Sequence, residues 1–207
     1  MKKLSMPVLA VAMALSISAC SVHYAPNKLY KEDFCFIRQD DKAVVQLGMT
    51  RKEAEQIVGE FYALGNQSKE ILVYHNGIRI GYQKYPVERK IEDGKEIVYL
   101  DEEQELSEGE QIVAYIDYDG YSVKNIKYET IRGIGIGASK EDIIKLYGDK
   151  YIDHSFPFIY FKYDMRNDKL ITVYDAIDPD RELDIFDIIF SFDEASQTVN
   201  KITISNN

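Results

Sequence analysis

The first pattern along the chain is an uncharged, largely apolar stretch over residues 6–17, preceded by Lys2 and Lys3 and followed by the small residues Ser18 and Ala19. It is shorter than the roughly twenty residues a spanning helix needs. A basic start, an apolar core and small residues at its end make the layout of a secretory signal. Further on, apolar residues fall at helical spacing in two places. Ala54, Ile57 and Val58 share one face, as do Ile143, Leu146 and Tyr147. Thr50 and Ser139 precede these stripes as N-caps, with Glu53 and Asp142 three positions later. Asp142 is short for the reciprocal bond of a capping box and suits the helix dipole better. Gly59 and Gly148 are expected to end helices of about ten residues in a left-handed C-terminal conformation.

Between and after these helices the period changes to two. Residues 71–74 and 78–82 flank His75-Asn76-Gly77, a hairpin signal. Strands are also expected over 96–100, 111–118, 123–128, 158–165, 170–174, 185–192 and 199–204. Strict alternation in 111–118 puts Ile112, Ala114, Ile116 and Tyr118 on one face and Val113 and Tyr115 on the other. With the more aliphatic faces turned to the helices, Tyr115, Tyr160 and Tyr174 point away from them. Tyrosine combines apolar area with a polar tip, so these three are the candidate partner-binding residues.

The helix pattern is duplicated. Residues 47–59 align without gaps onto 136–148, and Val123, Ile126 and Tyr128 align with Val199, Ile202 and Ile204. The fold class expected is α+β, with two tandem units, each a short helix packed on a meandering antiparallel sheet. The first unit carries extra length over 88–110, where ten acidic and three basic residues make a solvated loop the plain reading and a site for a basic partner the sharper one.

Charge narrows the partners. Without Lys2 and Lys3 the chain has 23 basic against 35 acidic residues, net −12, which disfavours nucleic acid and anionic head groups. There are two cysteines, and Cys35 lies in an apolar run where a buried thiol is the plain reading. No catalytic set, metal site or cofactor site is recognised. His23, His75 and His154 stand apart from any second ligand. The acidic residues of 175–184 lack the glycine and terminal glutamate of a calcium loop. The glycines 133, 135 and 137 lack the Lys-Ser/Thr ending of a phosphate loop.

Ile17-Ser18-Ala19-Cys20 resembles the lipobox of bacterial lipoproteins. The resemblance implies cleavage before Cys20, a lipid on its thiol, and anchoring to the outer membrane where the cell has one. Division into a signal peptide (1–19), a lipidated tether (20–33), a first repeat (34–130) and a second (131–207) follows. The duplicated motif, aliphatic-Gly-x-Thr/Ser-x-x-Glu/Asp before a short helix and Gly, resembles the small outer-membrane assembly lipoproteins and relatives with the β-lactamase-inhibitory-protein fold. That resemblance implies a non-enzymatic protein-binding module with an envelope protein as partner. The alternative is a solute- or glycan-binding lipoprotein with a pocket between the units. Assembly-family members have one unit where this chain has two, and no partner-contacting residue carries over.

Overall fold

The computed structural model describes residues 24–66, 71–85, 87–92, 95–100, 105–121, 125–150, 157–164, 169–171 and 185–206. The fold is α+β, with antiparallel sheets and, among the described residues, two α-helices. Cys20, His23, His154, Tyr174 and the acidic run 175–184 lie outside those residues.

Both helices start where the spacing puts them. α1 (Arg51–Val58) has Thr50 as N-cap, whose hydroxyl accepts from the Glu53 N–H at 3.3 Å while Glu53 Oε2 accepts from the Thr50 N–H at 2.9 Å. α2 (Lys140–Tyr147) repeats this with Ser139 and Asp142, at 3.1 and 2.9 Å. The shorter aspartate therefore closes a full capping box, against the expectation from its length. Each helix has eight residues, fewer than the ten expected. Gly59 and Gly148 do have positive φ (86° and 89°), but ψ of −157° and 174° puts them in an extended region open essentially to glycine, not in the left-handed helical one. The C-terminal carbonyls are met instead by guanidinium groups: Arg38 Nη1 donates to Ile57 O at 2.6 Å and Arg132 Nη1 to Leu146 O at 2.7 Å. A cation there also complements the helix dipole.

The early strands are β1 (Cys35–Arg38), β2 (Val44–Gln46), β3 (Phe61–Asn66), β4 (Ile71–Tyr74), β5 (Ile78–Gln83), β6 (Val87–Glu92) and β7 (Lys95–Leu100). They are followed by β8 (Ile112–Tyr118), β9 (Tyr128–Thr130), β10 (Phe158–Asp164), β11 (Lys169–Ile171), β12 (Ile185–Phe192) and β13 (Val199–Asn206). Eight form one sheet in the order β11-β10-β12-β13-β8-β5-β4-β3. A smaller sheet runs β2-β1-β9, and β6 and β7 form a hairpin of their own in the acidic insertion, where one strand and a loop were expected. Of the strand expected at 123–128, residues 123 and 124 lie outside the described residues, and Tyr128 opens β9, which pairs with β1.

Register explains the core. Leu72, Ile80, Ile116, Ile204, Ile188 and Phe161 are successive cross-strand partners, all 4% exposed or less. Both helices pack over this face. The Tyr147 ring lies 5.3 Å from Phe161 and 5.4 Å from Phe190, while the Tyr74 hydroxyl reaches Glu55 of α1. Residues from both ends of the sheet join one hydrophobic cluster, so the two helices share a core.

Strict alternation fails in β8. Tyr82 pairs with Val113 and Gly81 with Tyr115, leaving Ala114 as an extra residue in a bulge. Val113, Ile116 and Tyr118 therefore point into the core, and the face assigned to Ile112 and Ala114 is corrected. β13 has the same irregularity at Asn200, between Val199 paired with Phe192 and Lys201 paired with Ser191.

The segment expected as a tether is built into the body from Tyr24 onward. Asn27 N–H donates to Tyr147 O at 2.7 Å, and Asn27 Oδ1 accepts from the Lys150 N–H at 2.8 Å. Arg132 Nε and Nη2 donate to the two carboxylate oxygens of Asp33 at 2.5 and 2.6 Å, with both side chains at most 1% exposed. Arg132 also donates to the carbonyls of Ala25 and Lys28 and lies 4.5 Å from the centre of the Tyr147 ring. Burial raises the Asp33 pKa, and the Arg132 bonds oppose that rise.

Candidate interaction face

The face of the large sheet away from the helices is laid out by the same register. One cross-strand row reads Val73, Arg79, Asp117, Thr203, Ile189 and Tyr160; its neighbour reads Ile71, Gly81, Tyr115, Ser205, Asp187 and Lys162. Tyr115 and Tyr160 thus stand on the outer face. They sit on β8 and β10, three strand spacings or about 14 Å apart.

Neither tyrosine hangs freely. Tyr115 OH donates to Asp117 Oδ2 at 3.0 Å. Burial, then the Asp117 charge, raises its pKa. Tyr160 is treated the same way by burial and by a hydrogen bond to Asp187, and the Lys162 ammonium lies 5.2 Å from its ring centre. Each tyrosine is half-buried, with its tip held by a carboxylate.

Asp117 anchors the middle of the face. Arg79 Nε lies 3.2 Å from its Oδ2, and Lys201 Nζ 2.9 Å. Arg79 Nη2 reaches on to Asp119 at 2.7 Å. In the sequence this network shows only as one charged residue in each of β5 and β8, Arg79 and Asp117; they were not singled out, since cross-strand partners cannot be chosen from spacing. Asp117 is 5% exposed in its side chain, so these contacts order the face and leave the carboxylate little open to solvent.

Other candidates are less developed. His75 is exposed in its hairpin turn. Cys35 is buried, its thiol donates to Glu32 O at 3.1 Å, and burial pushes its pKa up to about 12, which makes it a poor nucleophile. Gly137 N–H donates to Val199 O, so the end of the glycine run serves the sheet. A groove of about 230 Å³ is lined by Tyr118, Asn125, Tyr128 and Ile136, below the roughly 300 Å³ at which ligand pockets begin. Among the described residues no three His, Cys, Asp or Glu side chains come together to hold a metal ion, and no helix is long and apolar enough to cross a membrane. No protein-family model matches the chain, and neither a curated protein nor a solved structure matches it.

Proposed function

We propose that this chain is a lipid-anchored, non-enzymatic scaffold of the cell envelope, held through Cys20 and binding another envelope protein across the outer face of its large sheet. The observation that carries this reading is the outer face itself, where half-buried Tyr115 and Tyr160, each fixed by a carboxylate, stand among Arg79, Lys201 and Lys162. Tyrosines held in place lose little entropy on binding, and tyrosine and arginine are usual anchors of protein interfaces. The lipobox-like segment before Cys20 supports the anchor.

The finer architecture in this reading is two tandem units joined edge to edge. Four matched features support it. The capping boxes at Thr50 and Ser139 correspond. Gly48 N–H donates to Val113 O and Met49 O accepts from Val113 N–H, as Gly137 and Ala138 do with Val199. Arg38 and Arg132 meet equivalent helix carbonyls. Bulges fall at Ala114 and Asn200. On this basis Val113, Ile116 and Tyr118 correspond to Val199, Ile202 and Ile204, replacing the match to Val123, Ile126 and Tyr128. The β8–β13 pairs Tyr118 with Ile202 and Ile116 with Ile204 then exchange about an approximate two-fold axis at the Asp117–Thr203 pair. Joining units this way removes one edge strand from each and doubles the outer face.

The test compares two variants in capture from detergent-solubilised envelopes. Tyr160→Ala combined with Lys162→Glu alters the outer face; Lys52→Glu alters the exposed side of α1. The outer-face variant is expected to lose at least about ten-fold in captured partner while the α1 variant keeps it, the size expected when an interface anchor is removed. Equal capture by both, with unchanged melting curves, would reject the sheet face as the binding surface.

A further inference from the structure

We infer that the C-terminal end of α2, together with the strap 24–31 that lies across it, is the surface this protein turns to the bilayer. The inference rests on the reading that Cys20 carries the lipid. Four Cα–Cα steps separate Cys20 from Tyr24, so Tyr24 is held within about 14 Å of the acylated residue. Tyr24 is not at the start of a loose linker. The Arg132 guanidinium lies 5.1 Å from the Tyr24 ring centre, and its Nη1 takes the Ala25 carbonyl. Asn27 is bonded to Tyr147 O and to Lys150 N–H, so the strap is fastened to the last turn of α2. The close fit leaves no slack: a Cβ on Gly148 would lie 2.3 Å from Asn27 Oδ1. A lipid on Cys20 therefore fixes the orientation of the whole body as well as its location.

The charge at this end suits such a surface. Among the described residues, Lys28, Lys31, Lys145 and Lys150 are exposed there, against exposed Glu32 and Asp149, an excess of two positive charges in a chain of net charge −10. This local excess sets the end apart from the net charge, which by itself disfavours anionic head groups. The opposite end of α2 is marked by Ser139, bridged to Thr198, with Ser196 in the adjoining turn. Eight helical residues put it about 12 Å farther from the bilayer.

The experiment uses the full-length protein recovered from membranes and reconstituted in vesicles of phosphatidylcholine and phosphatidylglycerol carrying a head-group nitroxide lipid. A fluorophore is placed at Lys150→Cys or at Ser196→Cys, and the intact mass of each sample reads acylation. Quenching at position 150 is expected to exceed that at position 196 by at least about three-fold, given the reach and helix length involved. Acylated protein with equal or reversed quenching would overturn the orientation and leave the anchor standing. Protein without acyl mass that does not float with the vesicles would overturn the anchor and the orientation together.

Discussion

Arg132 and Arg38 perform the same task in different surroundings, and the difference sets what each is worth. Arg132 spends its donors on Asp33 and three carbonyls while almost fully buried. Arg38 caps Ile57 from a partly exposed position, with Asp41 about half exposed beside it. Removing one member of a buried pair strands a charge. Asp33→Asn is therefore expected to lower unfolding stability by about 3–5 kcal/mol, and Asp41→Asn by at most about 1 kcal/mol, both read from urea midpoints. Equal losses would mean that the strap is not clamped as described. Neither arginine was legible as a cap, because a residue 14 or 19 positions upstream of the carbonyl it serves leaves no local pattern. Thr50 and Ser139 were legible because a cap and its partner lie three residues apart.

At the level of elements, helix starts and most strands follow from local chemistry, and their pairing does not. The bulge at Ala114 reversed the facing of half a strand, since one extra residue shifts a period of two. The hairpin of β6 and β7 was half seen: residues 96–100 have the apolar content of a strand, whereas 87–92 are too charged to stand out. The strand at 61–66 was missed because its apolar run is only four residues long, does not alternate and ends at Gly65. The caps carry a pH prediction. Hydrogen bonds from Thr50 and Ser139 hold Glu53 and Asp142 below their ordinary values of 4.5 and 3.8. A depressed acid stabilises the fold above its unfolded pKa, and that contribution is lost as pH falls through the folded one. Between pH 6 and pH 3 the urea midpoint of the Glu53→Gln, Asp142→Asn double variant is thus expected to fall less than that of the natural chain. A parallel fall in both would remove the boxes from the acid response.

For the whole molecule, the recurrence of one capped-helix motif was visible in sequence, and how the two helices come together was not. Two copies of a helix motif are compatible with separate beads or with one body; the pairing of β8 with β13 makes it one eight-stranded sheet over a common core. Such a sheet has one face under the helices and one turned away from them, where Asp117, Thr203, Ser205 and Asp187 are buried and Tyr115 and Tyr160 half-buried; the proposed function assigns partner binding to that second face. On the proposed anchoring through Cys20, the strap sets how that face is presented. A photoreactive amino acid placed at Tyr160 or at Lys52 in the living cell tests this most directly. The account predicts a discrete covalent adduct from position 160 on the outer face and none from position 52 on α1. An adduct from position 52 with none from position 160 would contradict it.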